Sequence, residues 1–150
     1  MKFLPIFLDI RDKPCLVVGG GGIAARKVFL LLRAGAKVTV VSPQLCHELE
    51  EKDQLGEIQW IKRAFTDEDI EHQSLAIAAT NNETVNSQIA ELARSKNIPV
   101  NVVDHPELGT FTMPSIIDRS PVQIAISTGG ASPVLARLLR SRLETVIPPA

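Results

Sequence analysis

Short apolar runs alternate with longer amphipathic stretches over the first two thirds of the chain. The runs predict five β-strands, at positions 16–18, 37–41, 58–61, 74–79 and 99–103. The stretches between them carry apolar residues at helical spacing, such as Val85, Ile89 and Leu92 before the fifth run. Such alternation predicts an α/β fold with a Rossmann-like open parallel sheet. Residues 3–8 are expected to form a short strand or extended segment that enters this fold.

The pattern changes after Asp104. Runs at 111–117 and 122–127 predict a β-hairpin whose turn is 118–121, and Ser132 with Pro133 predicts the start of a final helix. A hairpin and one helix are too little to be stable alone. We therefore expect two parts, a nucleotide-binding domain over 1–110 and a hairpin-helix segment over 111–150 for dimerisation and substrate contact.

A run of four glycines follows the first predicted strand. Gly19, Gly21 and Ala24 fit the G-x-G-x-x-G/A fingerprint of dinucleotide binding. Gly19 allows the tight turn, Gly21 lets a pyrophosphate approach the backbone, and Ala24 lets the helix pack closely on the strand. The helix that follows would direct free N–H groups at the phosphates, so the pattern favours a dinucleotide site over an ordinary strand–helix turn.

Other helix starts are marked by capping residues. Ser42 is predicted as an N-cap with Pro43 at the first helical position, and Thr66 as the cap of a short acidic helix. Asn81 or Asn82 is predicted to cap the helix after the fourth strand.

Composition removes several classes of function. The 150 residues are 45% hydrophobic and 22% charged with a formal net charge of −1, which does not suggest nucleic-acid binding. No apolar run reaches the ~20 residues of a membrane span, and no signal peptide is evident. Cys15 and Cys46 lack metal-site spacing, so we expect no metal ligands, inert buried thiols and a cytoplasmic location.

Polar residues follow the predicted strands at the edge where such sheets bind ligands. Ser42, Pro43 and Gln44 stand where an acid would normally hold the ribose of NAD; without an acid or an adjacent arginine, the choice between NAD and NADP stays open. Thr80 and Asn81 follow the fourth strand. Their side chains are interpreted as cofactor contacts, as part of a helix cap, or as both.

Asp104 ends the run VNVVD and is predicted to bring a carboxylate to this edge. It is interpreted as a proton acceptor or an electrostatic partner for a substrate that loses hydride and protons. The alternative is an Asp that caps the turn at His105, which is itself a weaker candidate.

A second glycine-rich loop opens the final helix. Its backbone is suited to anions, which predicts a cradle for substrate carboxylates; an ordinary connector is the alternative. The candidate substrate residues are Ser127, Thr128, Gly129, Gly130 and Arg137, with Arg140 nearby.

Several segments together resemble one family. CLVVGGGGIAARK, LAIAATN, NVVD and FTMPSIIDRSPVQIAISTGGASPVLARLLR, in this order, are similar to the N-terminal module of siroheme synthase, the precorrin-2 dehydrogenase and sirohydrochlorin ferrochelatase family, from Leu4 to Leu143. The resemblance implies an NAD-dependent oxidoreductase of siroheme biosynthesis, within porphyrin metabolism, that oxidises precorrin-2 to sirohydrochlorin. It also implies a homodimer and, in some members, ferrous iron insertion, a lyase activity.

The resemblance assigns roles to individual positions. It places the catalytic aspartate at Asp104 and cofactor contacts at Gly22, Ile23, Pro43 and Gln44. The tetrapyrrole is rich in carboxylates, which would suit the glycine-rich loop and its arginines. Longer members carry a methyltransferase, which we do not expect here, and iron insertion stays open. The rival hypotheses are a non-catalytic NAD-sensing regulatory module and a dehydrogenase of a small metabolite.

Overall fold

The computed structural model describes residues 1–149, which divide into two compact units. One unit is Ile6–Thr110; the other joins Met1–Pro5 to the residues from Phe111 onward. The first five residues thus belong with the hairpin and final helix, although 1–110 was the expected extent of the nucleotide domain. Within that second unit the ring of Phe3 lies 3.6 Å from the position that a Cβ on Gly129 would occupy.

The unit Ile6–Thr110 is built on a five-stranded parallel sheet, as predicted. Its strands are β1 (Pro14–Val18), β2 (Lys37–Val41), β3 (Gln59–Ile61), β4 (Leu75–Ala78) and β5 (Val100–Val102), in the order β3-β2-β1-β4-β5. Helices α1 (Gly22–Arg33), α2 (His47–Gln54) and α3 (Glu83–Ser95) connect them, with a 3-10 turn at Asp67–Ile70. The Rossmann-like prediction is confirmed.

The core explains why the central strands are apolar along their whole length. Leu16 of β1, Ala76 of β4 and Val100 of β5 cluster with Ile89 and Ala93 of α3 on one face of the sheet, and all five are fully buried. All four residues of β4 are buried, because helices cover both faces of a parallel sheet.

The predicted helix start at Ser42 is wrong. Helix α2 begins at His47, with Cys46 as its N-cap residue. The hydroxyl of Ser42 instead donates to the Gln44 carbonyl at 2.7 Å, and the Cys46 N–H donates to the Gly20 carbonyl at 2.7 Å. These bonds hold residues 42–46 as a loop against the glycine loop, so Pro43 lies outside the helix.

The other predicted helix caps are found. The side chain of Asn82, rather than that of Asn81, accepts from the Val85 N–H at 3.1 Å and caps α3. Thr66 and Asp69 form a reciprocal capping box around the 3-10 turn. Helix α1 ends at Arg33, and Gly35 follows in the left-handed region with φ +82°.

The second unit contains an antiparallel hairpin of β6 (Ser115–Arg119) and β7 (Val122–Ile126), followed by helix α4 (Pro133–Val146). The turn is shorter than predicted, because Arg119 still pairs with Val122 and only Ser120 and Pro121 connect the strands, through a cis peptide bond. Ser132 caps α4 by accepting from the Leu135 N–H at 3.1 Å. Positions 111–114 form no strand, contrary to expectation, and residues 3–8 form neither strand nor helix, so of the two alternatives the short strand is not found.

Candidate dinucleotide site and the Asp104 turn

The strand order creates a crevice at the carboxyl edge of the sheet. The chain runs from β1 outward to β2 and β3, then returns to β4 beside β1. The connections on the two sides therefore lie on opposite faces, and ligands of open α/β sheets bind at such a switch point. The loops after β1, β2, β4 and β5 end at this edge.

The four glycines after β1 divide into two kinds. Gly19 has φ +132°, and a Cβ there would lie 2.7 Å from the carbonyl carbon of Ala79. A Cβ on Gly20 would overlap the Gln44 carbonyl oxygen and lie 2.6 Å from Ser42 Oγ. A Cβ on Gly21 or Gly22 would meet no atom within 4 Å. The first pair is therefore needed for packing, while the second pair faces open space.

This open space lies at the N-terminus of α1. Gly21 is the N-cap residue and offers no side chain to the free N–H groups of the first turn. Ile23 is exposed beside it, and Ala24 is fully buried where the helix packs on the sheet. Unfilled N–H groups and a positive dipole end attract phosphate. The residues present thus fit a dinucleotide diphosphate.

The loop after β2 closes one side of this space. Ser42 is 8% exposed, its hydroxyl is used within the loop, and its carbonyl accepts from Trp60 Nε1 at 2.9 Å. Pro43 and Gln44 are exposed. Ser42 therefore shapes the loop, while Pro43 and Gln44 are its exposed residues, and their contact with a ribose stays a prediction.

The loop after β4 is fixed by Asn86, which the sequence analysis did not single out. Asn86 Oδ1 accepts from the Thr80 hydroxyl at 2.6 Å and from the Thr80 N–H at 3.3 Å, and Asn86 Nδ2 donates to the Thr80 carbonyl at 3.0 Å. Asn86 is 3% exposed. The sequence feature that could have identified Asn86 is its polar amide on the buried face of α3, three residues before Ile89. Asn81 is exposed next to Thr80.

Asp104 lies in the turn directly after β5, in the left-handed region with φ +67°. The side chain is exposed, and its carboxylate makes no hydrogen bond or ion pair with any residue in the described range 1–149. The alternative that Asp104 caps the turn is therefore wrong. The turn instead closes through the His105 N–H, which donates to the Val102 carbonyl at 3.3 Å.

His105 ties the same turn to the start of α3. Its Nδ1 lies 3.1 Å from Glu107 Oε1 and its Nε2 lies 3.2 Å from Glu83 Oε1. Hydrogen bonds to Glu107 and then to Glu83 raise the pKa of His105 above its ordinary value. When the ring is doubly protonated it can donate to both carboxylates, and these contacts hold the residue next to Asp104.

The glycine-rich loop of the second unit is ordered by its own side chains. Gly129 and Gly130 have φ of +68° and +85°. The Gly129 N–H donates to Ser127 Oγ at 3.1 Å, and Thr128 Oγ1 donates to the Ser132 carbonyl at 3.1 Å. Specific hydrogen bonds therefore order this loop at the N-terminus of α4.

The arginines near this loop differ in their partners. Arg137 is exposed on α4, whereas Arg140 Nε donates to Glu144 Oε1 at 2.8 Å. Arg137 is consequently the cation of this pair that has no carboxylate partner within residues 1–149.

The remaining candidate chemistry is limited. Burial raises the pKa of the Cys15 thiol to about 11, which suits an inert thiol. Cys46 is only half-buried, which differs from expectation because it starts α2 at the surface. Among residues 1–149, no three His, Cys, Asp or Glu side chains group as metal ligands. None of the helices in that range has both the length and the apolar character of a membrane span.

The switch-point crevice, the glycine loop and the open N-terminus of α1 define a dinucleotide-binding domain of the Rossmann class. A family model described as "Putative NAD(P)-binding" matches residues 6–115, and the chain belongs to this family. A second model, for the central part of sirohaem biosynthesis proteins, matches residues 119–145. The resemblance to the siroheme synthase module is thereby confirmed.

Curated relatives agree with this assignment. Siroheme synthase of Nitrosospira multiformis is 57% identical over 154 residues, covering 100% of this chain and 33% of the relative. That of Thioalkalivibrio sulfidiphilus is 55% identical, covering 100% of this chain and 31% of the relative. The chain thus spans about a third of the length of the curated relatives it matches.

Solved structures show the same fold. The structure of SirC, a precorrin-2 dehydrogenase, superposes with a TM-score of 0.83 and 29% identity, covering 97% of this chain and 72% of that one. TcdA (CsdL) superposes with a TM-score of 0.53 and 18% identity over 91% of this chain and 65% of that one, which shows a shared fold alone.

Proposed function

We propose that this chain is an NAD-dependent dehydrogenase that oxidises precorrin-2 to sirohydrochlorin in siroheme biosynthesis. One observation carries the proposal. The turn after β5 presents the carboxylate of Asp104 exposed and without a protein partner, at the sheet edge that also holds the glycine loop. The names of the siroheme synthase relatives and of the precorrin-2 dehydrogenase structure support this substrate.

The chain's residues divide the work of the reaction. When bound, NAD supplies the hydride acceptor. The backbone at Gly21, Gly22 and Ile23 holds the diphosphate, since the first turn of α1 offers free N–H groups there. Gly19 contributes by shaping the turn, because its own N–H donates to the Val41 carbonyl at 3.0 Å. The carboxylate oxygens of Asp104 accept a proton that the substrate loses with its hydride, directly or through an oriented water.

The same loops position the rest of the cofactor. Pro43 and Gln44 border the ribose, with Ser42 beneath them holding the loop in shape. Thr80 and Asn81 border the crevice after β4, and Asn86 holds Thr80 in place there. All of these residues follow strands of one sheet, so their spacing is fixed by the parallel ladder.

The second unit supplies a site for the substrate's carboxylates. The Ser127–Gly130 loop precedes the N-terminus of α4, and Arg137 adds a positive charge one turn into that helix. Backbone N–H groups at a helix start and an unpaired guanidinium both favour carboxylates. This assignment explains why the loop is built by specific hydrogen bonds.

Ferrous iron insertion into sirohydrochlorin is a second reaction that Asp104 could serve. The iron would be a substrate, and the Asp104 carboxylate would accept the pyrrole protons that the metal displaces. The same unpartnered carboxylate supports both steps, so both depend on one residue.

A homodimer is proposed from the exposed apolar face of α4. Val134, Leu135, Leu138 and Leu139 are each at least 40% exposed. They recur at helical spacing on one side, and a patch of this kind on a short helix usually marks an interface. We also assign the protein to the cytoplasm, which two free thiols support.

Anaerobic absorbance spectroscopy tests the proposal. Precorrin-2 is mixed with the protein, first alone, then with NAD, and then with ferrous iron. We expect the sirohydrochlorin spectrum and reduced NAD to appear together only when NAD is present. If NAD binds but the precorrin-2 spectrum does not change, the chain is an NAD-sensing module instead.

A further inference from the structure

Lys62 lies at the end of β3, next to the loop that borders the ribose. In the parallel ladder of β2 and β3, Val41 pairs with Ile61, so Ser42 and Lys62 are the next opposed positions. The Ser42 N–H donates to the Ile61 carbonyl at 3.2 Å, which extends the pairing to this point. Neighbouring strands lie only about 4.8 Å apart. The backbone of Lys62 therefore lies beside that of Ser42.

The indole of Trp60 holds the Lys62 ammonium in this region. Lys62 Nζ lies 5.5 Å from the centroid of the Trp60 ring, within the range of a cation–π contact. Trp60 Nε1 donates to the Ser42 carbonyl at 2.9 Å. Ser42, Trp60 and Lys62 thus form a connected group at the carboxyl ends of β2 and β3.

The charges around Ser42, Trp60 and Lys62 differ from those of domains that bind NAD and exclude NADP. Domains that prefer NAD place an acid at the end of β2, which binds the ribose hydroxyls and repels a 2′-phosphate. Residues 42–46 contain no acid. The neighbouring Arg63 is engaged by both oxygens of Asp69, at 2.8 and 2.7 Å. Lys62 has no ion pair with any residue of 1–149, so its charge is available.

We propose that Lys62 is a specificity-determining residue that binds the 2′-phosphate of NADP, so that the site accepts NADP as well as NAD. The inference rests on the dinucleotide site of the proposed function and adds its selectivity. A 2′-phosphate at the end of β2 would meet a lysine in place of the usual carboxylate. The attraction is between exposed charges, so high salt weakens it.

Binding measurements on the full chain test this directly, without turnover. Calorimetry gives Kd for NAD and for NADP with the parent protein, Lys62→Gln and the control Lys37→Gln, which lies at the opposite end of β2. Trp60 is the single tryptophan, so its fluorescence reports binding near Ser42. We expect both nucleotides to bind the parent and to change that fluorescence.

The two substitutions should have different effects on nucleotide binding. Lys62→Gln should raise the Kd of NADP by about fivefold or more and the Kd of NAD by less than about twofold. Lys37→Gln should change neither Kd by more than about twofold. If NAD binds and NADP does not, or if Lys62→Gln leaves the ratio of the two Kd values unchanged, the inference is overturned. If neither nucleotide binds, the proposed dinucleotide site itself fails.

Discussion

Replacing Gly20 and Gly21 by alanine, one at a time, separates the packing role of the glycine loop from its binding role. The chemical change is the same at neighbouring positions. A Cβ on Gly20 would overlap the Gln44 carbonyl oxygen and lie 2.6 Å from Ser42 Oγ, whereas one on Gly21 would meet no atom within 4 Å. Gly20→Ala should therefore damage the fold, and Gly21→Ala should damage nucleotide binding.

The size of the first effect follows from the contacts that must break. The backbone of residues 42–46 has to retreat from Gly20, which costs about 1–3 kcal/mol as overpacking. The retreat also breaks the Cys46 N–H bond to the Gly20 carbonyl, now 2.7 Å, for about 1 kcal/mol more. The free energy of unfolding should fall by about 2–4 kcal/mol. In a unit of this size that lowers Tm by about 10 °C or more.

The second effect is on the ligand. Gly21 has φ −91°, which alanine adopts without strain, so the main cost to the fold is that alanine is a poorer N-cap residue than glycine. The unfolding free energy should change by less than about 1 kcal/mol. The methyl group would occupy the space at the first turn of α1, so NAD affinity should fall by about tenfold or more, which is about 1.4 kcal/mol.

Thermal unfolding by circular dichroism and NAD titration by calorimetry measure both effects on the same samples. An unchanged Tm for Gly20→Ala would mean that the loop 42–46 does not rest on the glycine loop. Parent-like NAD affinity for Gly21→Ala would mean that phosphate does not bind at the start of α1.

Four further substitutions test the site and the proposed interface. Asp104→Asn, which tolerates the left-handed backbone, should lower precorrin-2 turnover by about a hundredfold or more with NAD affinity unchanged; equal turnover would remove Asp104 from the chemistry. Asn86→Ala should lower the unfolding free energy by about 1–3 kcal/mol in a denaturant titration, since it removes the partner of the half-buried Thr80 N–H, carbonyl and hydroxyl, and a loss below about 0.5 kcal/mol would contradict this. The raised pKa of His105 means that its stabilisation is full below its ordinary value of 6.5 and is lost as pH rises through the raised value. The Tm difference between the parent and His105→Asn should shrink over that rise, and a difference that grows with pH would refute the ion-pair account. Leu138→Glu should give a folded monomer by analytical ultracentrifugation where the parent is a dimer; a dimer in both would place the interface elsewhere.

The sheet was predictable from sequence because its signals are local. Continuous apolar runs such as 74–79 reflect burial on both faces, and β4 lies within that run. Asn82 and Ser132 cap helices where their side-chain chemistry predicts. Right-handed crossovers fix the face on which each connecting helix lies, whereas the order β3-β2-β1-β4-β5 came from the structure.

The errors have a common physical origin in contacts between loops. Ser42 followed by proline has the local chemistry of a helix start, but its hydroxyl bonds to Gln44 and its loop is held by Gly20. Gly20 is not one of the fingerprint positions, yet it is the glycine that the Gln44 carbonyl requires to lack a side chain. Contacts of this kind depend on the distance between two strands' ends, which no single segment encodes.

The functional residues show the same division. Asp104 was singled out because it closely follows an apolar strand, which the sequence displays directly, and its role in the reaction stays a prediction. Asn86 was missed because its role is to hold Thr80 six residues earlier, and its position on the apolar stripe of α3 resembles an ordinary buried position. A polar residue on a buried stripe is therefore the sequence signal to examine next to a predicted binding loop.

The central claim is that the glycine loop and Asp104 serve one reaction at one edge of the sheet. A crystal structure of the chain with NAD bound tests it most directly. The account predicts the diphosphate on the N–H groups at the start of α1 and the nicotinamide beside the Asp104 carboxylate. A nicotinamide directed away from β5, or a diphosphate bound elsewhere, would contradict it.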